Sequence, residues 1–355
     1  MSAGEHASRK HDHLALALGD GVGFAQTTTG LERLRLRARA LPERALADVD
    51  LSQRLWDREI AAPLLLSCMT GGTGRAGPVN RALATAAQHH RVPVGLGSGR
   101  VLLADPRRRE GFDVRDVAPD VPILANLGAV QLAEVGVEGC ARLVEACAAD
   151  VLVLHLNAVQ EAVQVGGDTD FTGVAERIAE AAAGLAVPVV VKEVGFGLGP
   201  DDVDLLLDAG VAGLDVAGAG GTNWARLEGR RDPRAGAVAA AFADWGWPTA
   251  EALAHASAAL DRRGDGDVVL IASGGIADGV EAVKALCLGA RLAGVARGLL
   301  AAAAEGPAAA VEAVGILLEQ LRIAAWAAGA TRLADLDGSR LEAVTPLPRA
   351  GFGMR

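Results

Sequence analysis

A dense cluster of polar residues lies between positions 155 and 161 of this chain. His155 and Asn157 alternate on one side of a predicted strand, and Gln160 and Glu161 fall on the turn that follows it. Imidazole and amide groups bind phosphate oxygens, and a carboxylate binds a hard cation, so the four groups can bind a diphosphate with its magnesium ion. The alternative is a buried, hydrogen-bonded histidine followed by an ordinary glutamate at a helix N-terminus. Spacing alone does not decide between the two.

Lys192 directly follows the uniformly apolar run 189–191. A lysine at the end of a buried strand can form a Schiff base, hold a phosphate, or lie beside a flavin ring and stabilise its negative charge. A surface lysine is the weaker interpretation, because the run before it contains no polar residue.

Glycine-rich segments follow two apolar runs in the second half of the chain, at 273–275 and 294–298. Glycine lets the backbone approach phosphate oxygens closely, and free N–H groups supply the donors. These two glycine-rich segments predict a phosphate site. At the end of barrel strands, a bound phosphate usually belongs to flavin mononucleotide (FMN) or to a sugar phosphate. The alternative is that the glycines only form tight turns.

Residues 195–199 read Gly-Phe-Gly-Leu-Gly but lack the third spaced glycine of a dinucleotide fingerprint, which argues against a Rossmann fold.

These residues follow apolar runs that recur along the chain, with starts 24 to 57 residues apart. Most gaps have room for one helix. This repetition predicts a (β/α)8 TIM barrel, in which the C-terminal strand ends carry the chemistry. The eight predicted strands are 63–67, 92–96, 121–125, 151–156, 187–191, 211–216, 268–272 and 292–296.

The chain divides into three predicted parts. Residues 1–60 form an N-terminal arm or cap and not a separate domain, because they hold too few large apolar residues for a core of their own. Residues 61–300 form the barrel, and residues 301–355 form C-terminal helices and a tail that pack on it. Two helices are predicted in the last part, at 308–321 and 322–328.

Composition excludes several classes of protein. The net charge of -10 disfavours a nucleic-acid binder, and 51% hydrophobic residues argue against disorder. No apolar stretch is long enough to span a membrane, and the polar N-terminus does not resemble a signal peptide. The four cysteines form no CxxC pair, which favours reduced thiols and a cytoplasmic protein.

Taken together, these motifs resemble one family, the FMN-dependent type 2 isopentenyl-diphosphate Δ-isomerases. The resemblance covers almost the whole chain, and the order of the motifs makes it specific. The motifs are Arg9-Lys10-x-Asp12-His13, Ala40-Leu41-Pro42-Glu43, Met69-Thr70-Gly71-Gly72, Ala125-Asn126-Leu127-Gly128-Ala129, His155-Leu156-Asn157-x-x-Gln160-Glu161, Gly167-Asp168-x-Asp170-Phe171, Val191-Lys192-Glu193-Val194-Gly195-Phe196-Gly197, Gly220-Gly221-Thr222-Asn223 and Ala272-Ser273-Gly274-Gly275.

The resemblance implies a set of site residues. FMN would contact Met69, Thr70, Gly71, Gly72, Ser98, Asn126, Lys192 and Thr222, with its phosphate held by Gly274, Gly275, Ala296 and Arg297. The diphosphate of the substrate would be bound by Arg9, Lys10, Arg100, His155 and Asn157. Glu161 would hold Mg2+, and Gln160 would face the isoprenyl carbons in a positioning or proton-relay role, since an amide is a poor base. Gln160 and Lys192 are the implied catalytic residues.

Three positions depart from the family pattern. Gly99 replaces a glutamine or a similar side chain, Val165-Gly166 replace Pro-Glu, and Gly74 replaces a frequent glutamate. The first two changes are expected to remove side chains near the barrel mouth and to affect the shape of the substrate or the rate.

The implied reaction converts isopentenyl diphosphate to dimethylallyl diphosphate in isoprenoid biosynthesis, with no net redox change. Reduced FMN would act as the acid–base catalyst, Lys192 would stabilise its anionic form, and NADPH would only reduce the flavin.

One rival function is an FMN-dependent 2-hydroxy-acid oxidase or dehydrogenase, which would need a histidine base and paired arginines where this chain has Ile276-Ala277-Asp278. The other is a non-catalytic flavin or prenyl-diphosphate binding protein. The family also suggests a homo-oligomer, a tetramer or octamer.

Overall fold

The computed structural model describes residues 16, 18, 19, 21–69 and 76–344. Three short strands precede the barrel. They are β1 (Leu34–Leu36) and an antiparallel hairpin of β2 (Gln53–Leu55) and β3 (Arg58–Ile60). Single 3-10 turns lie at Leu31–Arg33 and Leu46–Asp48.

Eight parallel strands then close into a barrel, since β11 pairs with β4 as well as with β10. The predicted TIM barrel is therefore confirmed, and each strand lies within its predicted run or within three residues of it. The strands are β4 (Leu64–Leu66), β5 (Val94–Ser98), β6 (Ile123–Gly128), β7 (Val151–His155), β8 (Val189–Lys192), β9 (Gly213–Asp215), β10 (Val269–Ala272) and β11 (Leu292–Val295).

Helices surround the barrel and fill the gaps between its strands. They are α1 (Ala76–His90), α2 (Arg100–Ala104), α3 (Leu132–Ala146), α4 (Ala158–Val163), α5 (Val174–Gly184), α6 (Pro200–Asp208), α7 (Trp224–Gly229), α8 (Pro233–Ala239), α9 (Thr249–Arg263), α10 (Gly279–Cys287), α11 (Arg297–Glu305) and α12 (Pro307–Ala327). The last strand, β12 (Leu341–Ala343), pairs antiparallel with β1.

The barrel strands are apolar on both faces, which explains their continuous hydrophobic runs. Along β7, Val151 and Val153 belong to a buried cluster inside the barrel, whereas Leu152 and Leu154 belong to the core between strands and helices. Only the residues at the C-terminal ends escape this constraint, so polar side chains there are free to form a site.

The β2–β3 hairpin covers the N-terminal end of the barrel. Leu55 and Ile60 pack into the cluster inside the barrel. Arg58 donates to Asp150, which directly precedes β7, and the Gln53 side chain donates to the carbonyl of Arg291, which precedes β11. The hairpin thus lies opposite the C-terminal strand ends. The division of the chain at residues 60 and 300 stays a prediction.

Residues 21–30 lie at the other end of the barrel, over the loop that follows β9. Gly23 forms a β-bridge with Thr222, and the backbone N–H of Asn223 donates to the carbonyl of Val22 at 2.8 Å. This stretch therefore covers one side of the barrel mouth.

The predicted break between two C-terminal helices at residues 321 and 322 is wrong. Helix α12 runs without interruption through both positions. Neither glycine nor proline occurs there to end a helix, and Leu321 and Ala324 continue the buried face.

Candidate active site

A cavity of about 1030 Å³ opens at the C-terminal ends of the barrel strands. Every described residue of the predicted site lines it. The predicted flavin-binding residues in its wall are Met69, Ser98, Asn126, Lys192, Thr222, Gly274, Gly275, Ala296 and Arg297. The predicted substrate- and metal-binding residues in its wall are Arg100, His155, Asn157, Gln160 and Glu161. The remaining predicted site residues, Arg9, Lys10, Thr70, Gly71 and Gly72, lie outside the described part of the chain.

His155 is the last residue of β7, and its ring lies beside a side chain from the neighbouring strand β6. Its Nδ1 lies 2.8 Å from Oδ1 of Asn126. An amide oxygen only accepts hydrogen bonds, so Nδ1 carries the proton and donates. In the neutral imidazole, Nε2 is then the acceptor, and in the protonated ring it is a donor.

Glu161 lies in α4 and is held by three donors. Its Oε1 accepts from Asn157 Nδ2 at 2.9 Å. Its Oε2 accepts from Gln164 Nε2 at 3.0 Å and from the Asp168 amide at 2.8 Å. The chain returns close to this side chain at Gly167, where a Cβ would lie 2.1 Å from the Glu161 carbonyl oxygen. Glycine is therefore required at position 167 for this approach.

The oxygen atoms at and beside Glu161 fit a Mg2+ site. Asn157 is buried, and its Oδ1 has no hydrogen-bond partner, so a free acceptor lies beside the carboxylate. Among residues 16, 18, 19, 21–69 and 76–344, no three histidine, cysteine, aspartate or glutamate side chains are grouped to hold a metal ion. Mg2+ commonly binds through one or two carboxylates together with substrate phosphates and water, which is what a site with a single glutamate requires.

Gln160 is buried and makes contacts on both sides of its amide. Its Oε1 accepts from Asn157 Nδ2 at 3.2 Å, and its Nε2 donates to Glu228 Oε1 at 3.0 Å. Glu228 lies in α7, 68 residues further along the chain, and it also accepts from Arg231 at 3.1 Å. Sequence reasoning missed Glu228, because no motif links it to Gln160.

Arg100 begins α2 at the rim of the cavity and already has acidic neighbours. Its Nη1 donates to Asp168 Oδ2 at 2.5 Å, and its Nη2 lies 3.6 Å from Glu134 Oε2. Both ion pairs are partly exposed, so their net stabilisation is small. An anionic ligand with two negative charges would therefore compete effectively with these carboxylates for the guanidinium.

Lys192 ends β8 and is buried, with its Nζ donating to the carbonyl of Glu193. The Glu193 carboxylate turns back and accepts from the amides of residues 194–197. Burial raises the pKa of Glu193 to about 7, although the four amides and Lys192 favour its charged form. The loop after β8 is thus tied to the residue that orients Lys192.

Asp215 is a buried carboxylate at the end of β9 that sequence reasoning also missed. Its Oδ1 accepts from Ser273 Oγ at 2.6 Å and from the Ala217 amide at 3.2 Å. Burial raises the pKa of Asp215, whereas the nearby Lys192 charge and the Ser273 hydrogen bond lower it.

The predicted phosphate loop is built from closely packed backbone. Gly274 has φ +98°, and a Cβ there would lie 2.2 Å from the Gly218 carbonyl oxygen. Thr249 stabilises the same loop, because its Oγ1 donates to the Gly274 carbonyl at 2.5 Å. Nearby, α11 begins at Arg297, so its N-terminal amides point toward the cavity edge where an anion is favoured.

An orphaned hydroxyl supports the fit of a flavin in this cavity. Ser67 is buried, lines the cavity, and its Oγ has no hydrogen-bond partner. The backbone faces it closely at Gly294, where a Cβ would lie 2.5 Å from that oxygen. A bare backbone beside an unpaired hydroxyl suits a ligand with many acceptor atoms, as FMN has.

Gly99 and Val165-Gly166, which depart from the family pattern, have different surroundings from those expected. A Cβ at Gly99 would meet Leu143 of α3 at 2.4 Å, so the missing side chain points into the core and not into the cavity. Val165 is 71% exposed and is not part of the cavity wall. The expectation that both changes remove side chains near the mouth is therefore wrong. Gly74 lies outside the described residues.

The four cysteines are free thiols. Burial raises the pKa of Cys140 to about 11 and the pKa values of Cys147 and Cys287 to about 12. Cys68 lines the cavity, and burial raises its thiol pKa despite the nearby Lys192 charge. A raised pKa disfavours the thiolate, which is the nucleophilic form.

In the part of the chain that the structure describes, no helix combines the length and the apolar character needed to cross a membrane.

Comparisons with known proteins identify the family of this chain. A family model described as FMN-dependent dehydrogenase matches residues 138–343. Isopentenyl-diphosphate delta-isomerase of Xanthobacter autotrophicus is 49% identical over 94% of this chain and 95% of its own length. The Synechococcus protein of the same name is 50% identical over 89% of this chain and 90% of its own length.

Solved structures share the fold at low sequence identity. The flavin-binding domain of baker's yeast flavocytochrome b2 has a TM-score of 0.68 at 18% identity, covering 95% of this chain and 86% of that domain's chain. A mandelate oxidase variant bound to benzaldehyde has a TM-score of 0.67 at 21% identity, covering 97% of this chain and 98% of its own. At such identities the similarity shows the TM barrel alone.

The dehydrogenase model supports FMN as the cofactor, and the close relatives decide the reaction class. On this evidence the chain is an isomerase that belongs to the isopentenyl-diphosphate delta-isomerase family and contains the FMN-dependent dehydrogenase domain.

Proposed function

We propose that this chain converts isopentenyl diphosphate to dimethylallyl diphosphate, with FMN and Mg2+ bound in the cavity at the C-terminal end of the barrel. One observation carries the proposal: Glu161, Lys192 and Gly274, which are predicted to hold Mg2+, the flavin ring and the flavin phosphate, line a single cavity. A volume of about 1030 Å³ suits a cofactor and a small substrate together.

The proposed substrate grip is electrostatic. Arg100 and His155 would bind diphosphate oxygens, and Glu161 would hold Mg2+ against the same oxygens. The free Oδ1 of Asn157 would accept from a water molecule on that ion. Arg9 and Lys10 are proposed to complete the grip from the N-terminal arm.

The proposed cofactor grip uses the opposite wall of strand ends. Gly274, Gly275, Ala296 and Arg297 would hold the FMN phosphate through backbone amides and the start of α11. Lys192 would lie beside the flavin ring, where its ammonium group favours a negative charge. When bound and reduced, FMN supplies the acid–base chemistry that adds a proton at one carbon and removes a proton from another.

Gln160 is proposed to position the isoprenyl carbons and not to act as a base. Its amide is fixed between Asn157 and Glu228, so its orientation is set before the substrate binds. A preorganised polar group of this kind lowers the barrier without moving during the reaction.

The 2-hydroxy-acid oxidase rival is disfavoured by the residues after β10. Ile276 and Ala277 line the cavity there with apolar side chains, and Asp278 caps α10 by accepting from the Glu281 amide at 2.8 Å. A histidine base and paired arginines are missing from these three positions. The homo-oligomer, the cytoplasmic location and NADPH as the reductant stay predictions.

One assay separates the proposal from both rivals. FMN-loaded protein is reduced anaerobically with dithionite and mixed with isopentenyl diphosphate and Mg2+, while an oxidised sample receives L-lactate or mandelate. The proposal expects dimethylallyl diphosphate in the first sample and no flavin reduction in the second. Flavin reduction by a 2-hydroxy acid would favour the oxidase, and no change in either sample would favour a binding protein.

A further inference from the structure

The proposed function gives no role to the buried carboxylate of Asp215. Asp215 is 2% exposed and lies beneath the cavity wall, which includes its hydrogen-bond partner Ser273. Isolated buried carboxylates are strongly disfavoured, so this one needs compensation from its surroundings. Its neighbours in the sequence offer none, because the run from Val211 to Val216 is otherwise apolar or glycine.

The compensation comes from the neighbouring strands. Lys192 and Asp215 are register partners in the parallel pair β8–β9, so their side chains point to the same side of the sheet. On the other flank, Ser273 at the end of β10 donates to Asp215 Oδ1 at 2.6 Å. Three consecutive strand ends therefore place an ammonium, a carboxylate and a hydroxyl side by side under the cavity.

The ammonium and the carboxylate oppose each other at the place where the flavin is proposed to bind. Lys192 lines the cavity and favours a negative charge on a bound ring, whereas Asp215, one strand away, disfavours it. The pair thus presents a smaller positive field than Lys192 alone.

We infer that Asp215 is a positioning residue that acts through Lys192: its negative charge offsets the ammonium charge beneath the flavin and limits how strongly the site prefers reduced, anionic FMN over oxidised FMN. The inference rests on the proposed placement of FMN beside Lys192. It concerns the balance between two forms of the cofactor and not the binding of the substrate.

The test measures the dissociation constants of oxidised and of reduced FMN for wild-type protein and for Asp215→Asn, without substrate. The variant removes the negative charge and keeps the side-chain size, so reduced FMN should bind more tightly relative to oxidised FMN. We expect the ratio of the two constants to change at least about tenfold, which is about 30 mV upward in the midpoint potential of a two-electron couple. A purely structural role would weaken both forms equally and leave the ratio unchanged.

A double variant tests whether Asp215 acts through Lys192. Without the lysine charge, burial should leave the Asp215 carboxyl protonated and neutral, like the amide of asparagine. Lys192→Met/Asp215→Asn should therefore show the same ratio as Lys192→Met alone, within about threefold. A full additive shift in the double variant would contradict the inference.

Two further variants keep the test decisive. Asp150→Asn removes a hydrogen-bonded carboxylate at the opposite end of the barrel and should leave the ratio of the two dissociation constants unchanged. A shift equal to that of Asp215→Asn would show that the effect is not specific to Asp215 and would overturn the inference. If Asp215→Asn does not fold, Ser273→Ala removes a donor to the same carboxylate and should move the ratio in the same direction. An unmoved ratio in Ser273→Ala would then overturn the inference.

The outcomes separate this inference from the proposed function. Bound FMN with an unmoved ratio in Asp215→Asn contradicts the inference alone. A shifted ratio in protein that does not isomerise isopentenyl diphosphate contradicts the proposed function alone. Wild-type protein that takes up no FMN contradicts both.

Discussion

The side-chain amide of Gln160 donates a 3.0 Å hydrogen bond to the carboxylate of Glu228, and both side chains are buried. A carboxylate can only accept from an amide, so the NH2 group of Gln160 must face Glu228. The amide oxygen is thereby directed toward Asn157. One residue in α7 thus fixes the orientation of a proposed catalytic side chain in α4.

Glu228→Gln is expected to reduce turnover about a hundredfold, because a glutamine at 228 no longer dictates which way the Gln160 amide points. FMN affinity should change little, since neither side chain belongs to the flavin-binding set. Steady-state kinetics with reduced FMN check the first effect, and flavin titration checks the second. Glu312→Gln, on an exposed surface of α12, is the matched control. Unchanged turnover in Glu228→Gln would show that Gln160 is oriented by other contacts.

Glu161→Gln should abolish most Mg2+-dependent turnover while leaving FMN bound. The amide keeps the shape of the side chain but loses the negative charge that a hard cation requires. We expect a loss of about a hundredfold or more at limiting Mg2+, and the same loss when the wild-type protein is treated with EDTA. Asp170→Asn, an exposed carboxylate in the same segment, should behave as wild type. Wild-type turnover by Glu161→Gln at limiting Mg2+ would exclude Glu161 as the metal ligand.

The raised pKa of Glu193 predicts a pH dependence of stability. In the unfolded chain its carboxyl ionises near 4.5, so between pH 4.5 and about 7 the folded protein holds a proton that the unfolded chain has lost. The free energy of unfolding should therefore fall as pH rises through this window, by up to about 3 kcal/mol.

Urea unfolding of wild type and Glu193→Gln between pH 4.5 and 8 measures this effect. Glutamine does not titrate, so the variant should lack this part of the decline. Parallel curves for the two proteins would mean that the four backbone amides hold the carboxylate charged throughout.

Asp150→Asn is expected to weaken the closure of the N-terminal end of the barrel. Its carboxylate accepts from Arg58 Nε at 2.8 Å, from Arg115 Nη2 at 2.6 Å and from the Ile123 amide at 2.9 Å. Losing these charge-assisted bonds should cost about 2 kcal/mol, measured as a lower Tm. Asp116→Asn breaks only the exposed pair with Arg81 and should cost less than about 1 kcal/mol. Equal effects of the two variants would contradict a special role for Asp150.

The architecture could be predicted from the sequence because the barrel strands are buried on both faces. Such strands appear as short apolar runs, and the polar residues at their ends, such as His155 and Lys192, mark one rim. The β2–β3 hairpin was not predicted, since three-residue strands with one buried side chain at an end, such as Ile60, carry no clear alternation.

The contacts within the site were harder to predict than its location. Asp215 and Ser273 are 58 residues apart, and Gln160 and Glu228 are 68 apart, so no local pattern links either pair. The position of Gly99 against Leu143 likewise depends on how α3 packs on the barrel, which a single sequence does not specify. Only the fold turns such residues into neighbours.

The most direct test of the central claim is NMR of product formation in D2O. FMN-loaded protein is photoreduced and incubated with isopentenyl diphosphate and Mg2+, beside oxidised protein, EDTA-treated protein and Lys192→Ala. The account predicts dimethylallyl diphosphate that carries deuterium at the carbon that gained the proton, formed only by the reduced, Mg2+-containing samples and much more slowly by Lys192→Ala. No conversion by the reduced wild-type protein, or equal conversion with oxidised FMN, would contradict it.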